Sequence, residues 1–193
     1  MGSAAQDMTN AAQYPEGDVV RTLLEQHARI KTLFADIRGA GGDVDVIALF
    51  AELRAMLAVH ETAEQLVVRP VTMHVAGNDI AHLRTSEEAE ASRMLKELEK
   101  IDPLSPEFGA ELSLLERAVN DHAEAEEKTE FPALLAGCTA EQRRTMGQAL
   151  MAAERVAPTH PHPKLAGNTA ATLLTLPLAT IIDRTKDAIR HAS

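Results

Sequence analysis

Two imidazole–carboxylate pairs share one spacing in this chain. His60 precedes Glu64 in LAVHETAEQLV (57–67), and His122 precedes Glu126 in HAEAEE (122–127). A spacing of four puts both side chains on one face of an α-helix. Imidazole nitrogen and carboxylate oxygen together suit iron, manganese or zinc. A zinc-protease helix is a different use of such residues, and it needs two His at i and i+4 with a Glu beside the first. Residues 60–64 read HExxE, so the second His is missing, and partners must come from other helices.

The elements able to supply them are helical. Aromatic residues make up 3% of the chain, Ala, Leu, Glu and Arg abound, and apolar residues recur at three and four, which is the helix period. The pattern predicts a first helix from Asp18, its N-cap, to Gly39, with His27 among Val20, Leu23, Ile30 and Phe34. GAGGD (39–43) breaks it. A second helix is expected from Asp43 to Arg69, with Leu53, Met56, His60, Ala63 and Val67 inward, ended by the turn region RPVTMHVAGND. A third is expected from Asp79 to Ile101, with Ile80, Leu83, Glu87, Ala91, Met94 and Leu98 on its stripe. Ser105 and Pro106 are N-cap and first residue of a fourth, whose stripe runs Phe108, Leu112, Leu115, Val119, His122, Glu126 and Thr129. Short turns between four such helices make an all-α, up-down-up-down four-helix bundle. Thr139 and Gln142 form a capping box that opens a fifth helix to about Val156, and a sixth is expected over Asn168–Arg190. The organisation expected is a flexible segment at 1–17, the bundle at 18–137, and a helical extension at 138–193 with a Pro-rich linker at 158–163.

Ionisable residues on apolar stripes should be rare, because an unpaired buried charge is costly. Here each bundle stripe carries one: His27, His60, Glu87, and His122 with Glu126. Counted from one end of the bundle at roughly 1.5 Å per residue, all of them fall about 12–20 Å along it. A shared level points to a metal site, and about seven nitrogen and oxygen ligands are more than one ion takes, so two ions are the natural count. Glu90 lies one turn beyond Glu87, Glu88 is less well aimed, and Glu61 is either a solvated neighbour of His60 or a terminal ligand. A ferritin-like oxidase would show Glu-x-x-His pairs on two helices; the nearest form is Asp79-x-x-His82, away from that level.

Composition narrows the classes. A net charge of -10 argues against a nucleic-acid or anionic-membrane surface. Cys138 is alone, so no disulfide framework forms within the chain, and a reducing cytoplasm fits. The first residues lack the basic start and apolar core of a signal peptide, and the apolar stretch 170–182 is too short to span a bilayer. So few aromatic residues leave little from which to build a substrate pocket.

The order His27, HETAE (60–64), a carboxylate-rich third helix with SEEAEAS (86–92), then HAEAEE (122–127) resembles the hemerythrin-like family, also called HHE cation-binding domains. The likeness covers roughly residues 18–135. It implies a non-haem di-iron centre in a four-helix bundle, with ligand roles at His27, His60, Glu64, His122 and Glu126 and with Glu64 and Glu126 bridging. The oxygen carriers of that family place two His on the third helix, where this chain has SEEAEAS (86–92) with no His. The expected function is therefore reaction with oxygen, nitric oxide or peroxide in redox response or sensing. Iron storage and a metal-stabilised interaction module are the alternatives, and zinc or manganese are possible substitutes for iron.

Overall fold

The computed structural model describes residues 2–157, 159 and 160. The expected helix at 168–190 and most of the linker at 158–163 lie outside the described residues. Seven α-helices and one π-turn follow in order: α1 (Ala4–Ala11), α2 (Val19–Gly39), α3 (Asp43–Val75), α4 (Asn78–Leu98), α5 (Pro106–Ala125), the π-turn (Glu126–Glu130), α6 (Phe131–Gly137) and α7 (Ala140–Glu154). Among the described residues there is no strand, and no helix is long and apolar enough to cross a membrane.

Local chemistry sets the helix starts. The Asp18 carboxylate accepts the Val20 N–H at 3.0 Å and caps α2, while Ser105 caps α5 ahead of Pro106. Thr139 and Gln142 close the capping box of α7 from both sides, leaving fewer orphan N–H groups at that end. Neighbour packing closes a ring of α2, α3, α4 and α5, with α7 against α2 and α3 and α1 against α2. This is the four-helix bundle expected, with added helices at each end of the sequence. Gly147 lets α7 sit close. A Cβ there would lie 2.2 Å from the carbonyl oxygen of Gly17, whose own φ of 80° suits glycine.

Three elements differ from the sequence expectation. Residues 4–11, inside the stretch expected to be flexible, form α1, capped by Ser3 and tied to α2 by Asp7, which pairs with Lys31 at 2.6 Å. The second bundle helix does not end at Arg69 but runs through Pro70 to Val75. Proline removes one backbone bond and crowds the preceding turn, yet Val71 is buried in the apolar cluster that also holds Phe131, Leu134 and Met146, and that packing holds the extra turn in helix. In the fourth bundle helix, Pro132 can offer no N–H to the carbonyl four residues back. There the chain widens, and the Phe131 N–H bonds to the Glu126 carbonyl instead, an i→i+5 π-turn. As a result Glu130 is buried, while Thr129, which the stripe had placed inward, is exposed.

Two apolar clusters fill the bundle. One gathers Leu23, Leu24, Val67, Val68, Phe131 and Leu134 with Met146 and Leu150 of α7. The other gathers Phe34, Phe50, Leu53, Leu95, Phe108 and Leu115. Between them, on every bundle helix, lies a polar layer. Along α2 it is His27 between Leu24 and Ile30, and along α3 it is His60 between Leu57 and Ala63.

Candidate metal centre

The polar layer is built from one or two residues of each bundle helix. His27 comes from α2, His60 and Glu64 from α3, Glu88 from α4, His122 from α5 and Glu126 from the π-turn. All six are buried. His27 Nε2 lies 3.3 Å from Glu126 Oε2, His60 Nε2 lies 3.5 Å from Glu64 Oε2, and His122 Nε2 lies 3.2 Å from Glu126 Oε1. Two sets of four donors result, each with its ligand atoms within 4.8 Å of one another: His27, His60, Glu64 and Glu126, and Glu64, Glu88, His122 and Glu126. Glu64 and Glu126 belong to both sets, as two bridging carboxylates would.

Each imidazole is held from behind. His27 Nδ1 is 3.0 Å from Glu127 Oε1, His60 Nδ1 is 2.7 Å from Gln26 Oε1, and His122 Nδ1 is 2.9 Å from Glu87 Oε2. Such partners fix the ring and turn Nε2 toward a metal. Gln26 in turn donates to Glu154 at the end of α7, so the extension braces His60. Among the described residues, His27 Nε2, His122 Nε2, Glu64 Oε1 and Glu126 Oε2 are buried without a hydrogen-bond partner. Buried polar atoms are rarely left so. These orphans aim at one another across the layer, and they fit a cation.

The third bundle helix is turned differently from its apolar stripe. Glu88, expected to be poorly aimed, is inside the layer, whereas Glu87 stays partly exposed and reaches His122 from behind. Glu90 is exposed on the outer face. Glu61 is buried but belongs to neither donor set. The reason lies in the chemistry of α4. Its buried face in this stretch is Arg84, Glu88, Ala91 and Ser92, so the apolar stripe, which is buried at Ala91 and Leu98, passed beside Glu88, and Leu83 is 53% exposed.

Sequence reading also missed Arg69 and Glu130. Arg69 is buried, with its guanidinium among Glu64, Glu88, Glu126 and Glu130. Its only sequence signal was a cation next to a proline that was expected to end the helix. Four buried carboxylates around one guanidinium leave excess negative charge, which burial makes costly.

Protons offset part of that charge in the metal-free protein. Burial, reinforced by the neighbouring Glu126, pushes the Glu64 carboxyl well above the usual carboxylate range. Burial works against the His122 imidazolium, but Glu126 and hydrogen bonding outweigh it and raise His122 well above its ordinary value. His27 is raised in the same way by Glu126 and Glu127 against the effect of burial. His60 goes the other way: burial and the nearby His27 lower it to about 3. A group with a raised pKa holds its proton to higher pH than usual, and a cation binding there competes with it. Metal affinity is therefore expected to fall as the solution is acidified, by roughly tenfold per pH unit for each proton released. Binding isotherms between about pH 6 and pH 8, with proton release followed in weak buffer, check this, and an affinity independent of pH would contradict it.

A cavity opens on the side of the layer that faces the second apolar cluster. His27, His60 and His122 form one wall, Ile30, Leu57 and Val119 another, and Glu61, Asn120 and Lys31 its polar points. The room it leaves for the centre of a small molecule is about 20 Å³, enough for one or two water-sized molecules. That is consistent with the shortage of aromatic residues noted in the sequence.

A family model described as the hemerythrin HHE cation binding domain matches residues 18–134. Among curated proteins, a DNA nickase of Nostoc sp. is 26% identical over 142 residues, covering 74% of this chain and 40% of that protein. The chain thus spans well under half the length of that relative. No solved structure gives a significant match.

Proposed function

Because this chain belongs to the hemerythrin HHE cation-binding domain family, we propose that its polar layer holds two iron ions and reacts with oxygen, nitric oxide or peroxide in redox response or sensing. One observation supports this above the others: two four-donor sets with shared carboxylates meet beside a cavity of small-molecule size. Zinc and manganese suit the same donors. Iron bound there would supply electron transfer to a small ligand.

The chain's own residues do the rest. Glu127, Gln26 and Glu87 orient the three imidazoles. The apolar wall of Ile30, Leu57 and Val119 limits bulk water and excludes larger molecules. Glu61, raised well above the usual carboxylate range by burial and by Glu88, keeps a proton on the cavity wall, where reduction of oxygen or peroxide would consume one. Glu88, on a helix with no inward His, brings negative charge that favours the higher oxidation state of iron. Reversible oxygen carriage is therefore the less favoured use. Iron handling is the second reading, favoured by the same excess of buried carboxylates. DNA strand cleavage, the activity in the name of the Nostoc protein, has less support, since a net charge of -10 repels a phosphate backbone.

Anaerobic protein loaded with ferrous iron is expected to change its optical spectrum within the mixing experiment on meeting peroxide, oxygen or nitric oxide. Repeated consumption of peroxide marks an enzyme, and a single oxidation marks a sensor or a store. A stable oxygen complex that reverses under vacuum overturns the preference for redox response. No spectral response to any of the three leaves only a metal-stabilised helical module.

A further inference from the structure

Arg69 stands inside the second of the two donor sets. Its Nε and Nη2 both donate to Glu88 Oε1, at 2.9 and 2.5 Å, and Nη2 also donates to Glu126 Oε1 more closely still, with Glu64 Oε2 at 3.4 Å. Those three carboxylates are three of the four members of that set, and His122 is the fourth. The guanidinium thus uses lone pairs that a cation in the second subsite would need. In the first set Arg69 touches only one oxygen each of the two shared carboxylates, Glu64 and Glu126, while His27 Nε2, Glu126 Oε2 and Glu64 Oε1 are without a hydrogen-bond partner.

The guanidinium also has somewhere else to be anchored. Arg69 Nη1 donates to both oxygens of Glu130, which also accepts the Thr72 hydroxyl. Glu130 belongs to neither donor set, and the π-turn is what brings it inward. A movement that keeps Nη1 on Glu130 while releasing Nε and Nη2 from Glu88, and Nη2 from Glu126, would open the subsite.

Building on the metal reading above, we propose that Arg69 is an internal competitor cation, occupying the second subsite until an ion displaces its Nη2 and leaves the guanidinium on Glu130. Loading is then ordered. The first ion enters the His27–His60 subsite, where His27 Nε2, Glu126 Oε2 and Glu64 Oε1 have no hydrogen-bond partner. The second must exchange with a fixed positive charge already seated among its ligands, so it binds more weakly and leaves more readily. A surface or loop arginine would pay this role no attention; a buried one among four carboxylates cannot avoid it, because withdrawing it without a replacement leaves their charges uncompensated.

The test is an anaerobic titration of the full chain with Co²⁺ as the probe ion, followed by its visible spectrum and by competition with a chelator. In the unaltered protein, the second equivalent is expected to bind about ten- to a hundredfold more weakly than the first. Arg69→Met, which keeps an unbranched side chain but removes the charge, should bring the second step to within a few-fold of the first. Glu130→Gln should do the opposite, weakening the second step while leaving the first alone, because the guanidinium loses its charged anchor outside the subsite. This variant keeps the inference testable if Arg69→Met folds poorly without metal. Two equal steps in the unaltered protein, or an Arg69→Met second step no tighter than before, overturn the inference while the metal reading stands. No Co²⁺ binding in any variant overturns the metal reading itself, and the inference with it.

Discussion

Alanine at Glu126 is expected to abolish binding of both ions, whereas alanine at His60 or at Glu88 should remove about one of two. The difference follows from membership of the two donor sets. Glu126 supplies an oxygen to each, as does Glu64, while His27 and His60 serve only the first and His122 and Glu88 only the second. Glu87→Ala is expected to keep both ions but to weaken the second by about ten- to a hundredfold, because it removes the acceptor behind His122 Nδ1. Glu90→Ala should change nothing, since Glu90 is exposed on the outer face of its helix. Elemental analysis after anaerobic iron loading reads all of these. An unaltered ion content in Glu126→Ala, or equal losses at Glu88 and Glu90, would show that the donor sets are drawn wrongly.

Metal should also decide how stable the fold is. Glu64, Glu88, Glu126 and Glu130 converge on a single guanidinium, in a layer closed above and below by apolar clusters. Crowded carboxylates out of water disfavour the folded state unless cations accompany them. A cation that binds only the folded chain adds stability by mass action, about 2.7 kcal/mol at a hundred times Kd. For a chain of this size that corresponds to roughly 5–10 °C in Tm. Thermal unfolding of chelated and metal-loaded protein measures it, and identical midpoints would mean that the layer holds no ion of consequence. The same comparison in Glu126→Ala should lose the metal-dependent increment altogether. The variant without metal should itself be less stable than the unaltered chain, since Glu126 is the carboxylate partner of His27, His122 and Arg69.

The helices of this chain were legible from one dimension because their signals are local. Asp18, Ser105 with Pro106, and Thr139 with Gln142 mark helix starts that the structure reproduces, since a cap satisfies orphan N–H groups within a turn of itself. His60, Glu64, His122 and Glu126 announced a site for a related reason: a spacing of four fixes a shared face whatever lies opposite. What the sequence determined, then, was the number of bundle helices, the imidazole–carboxylate pairs on two of them and the level at which the polar residues meet.

Tertiary structure decided how α4 is turned, how far α3 runs and what else enters the layer. Apolar periodicity locates an inward face only where that face is apolar, and beside the metal layer the buried face of α4 is mostly polar, with Arg84, Glu88 and Ser92 beside Ala91. Pro70 forbids one hydrogen bond but not a helix, and burial of Val71 in the cluster of Phe131 and Met146 outweighs that loss. The π-turn before Pro132 shifts the phase of the last bundle helix, exchanging Thr129 for Glu130 at the inner face. Arg69 is the sharpest case. Its place among four carboxylates depends on contributions from α3, α4 and the π-turn together, and the electrostatic balance that retains a buried cation exists only once those elements are packed around it.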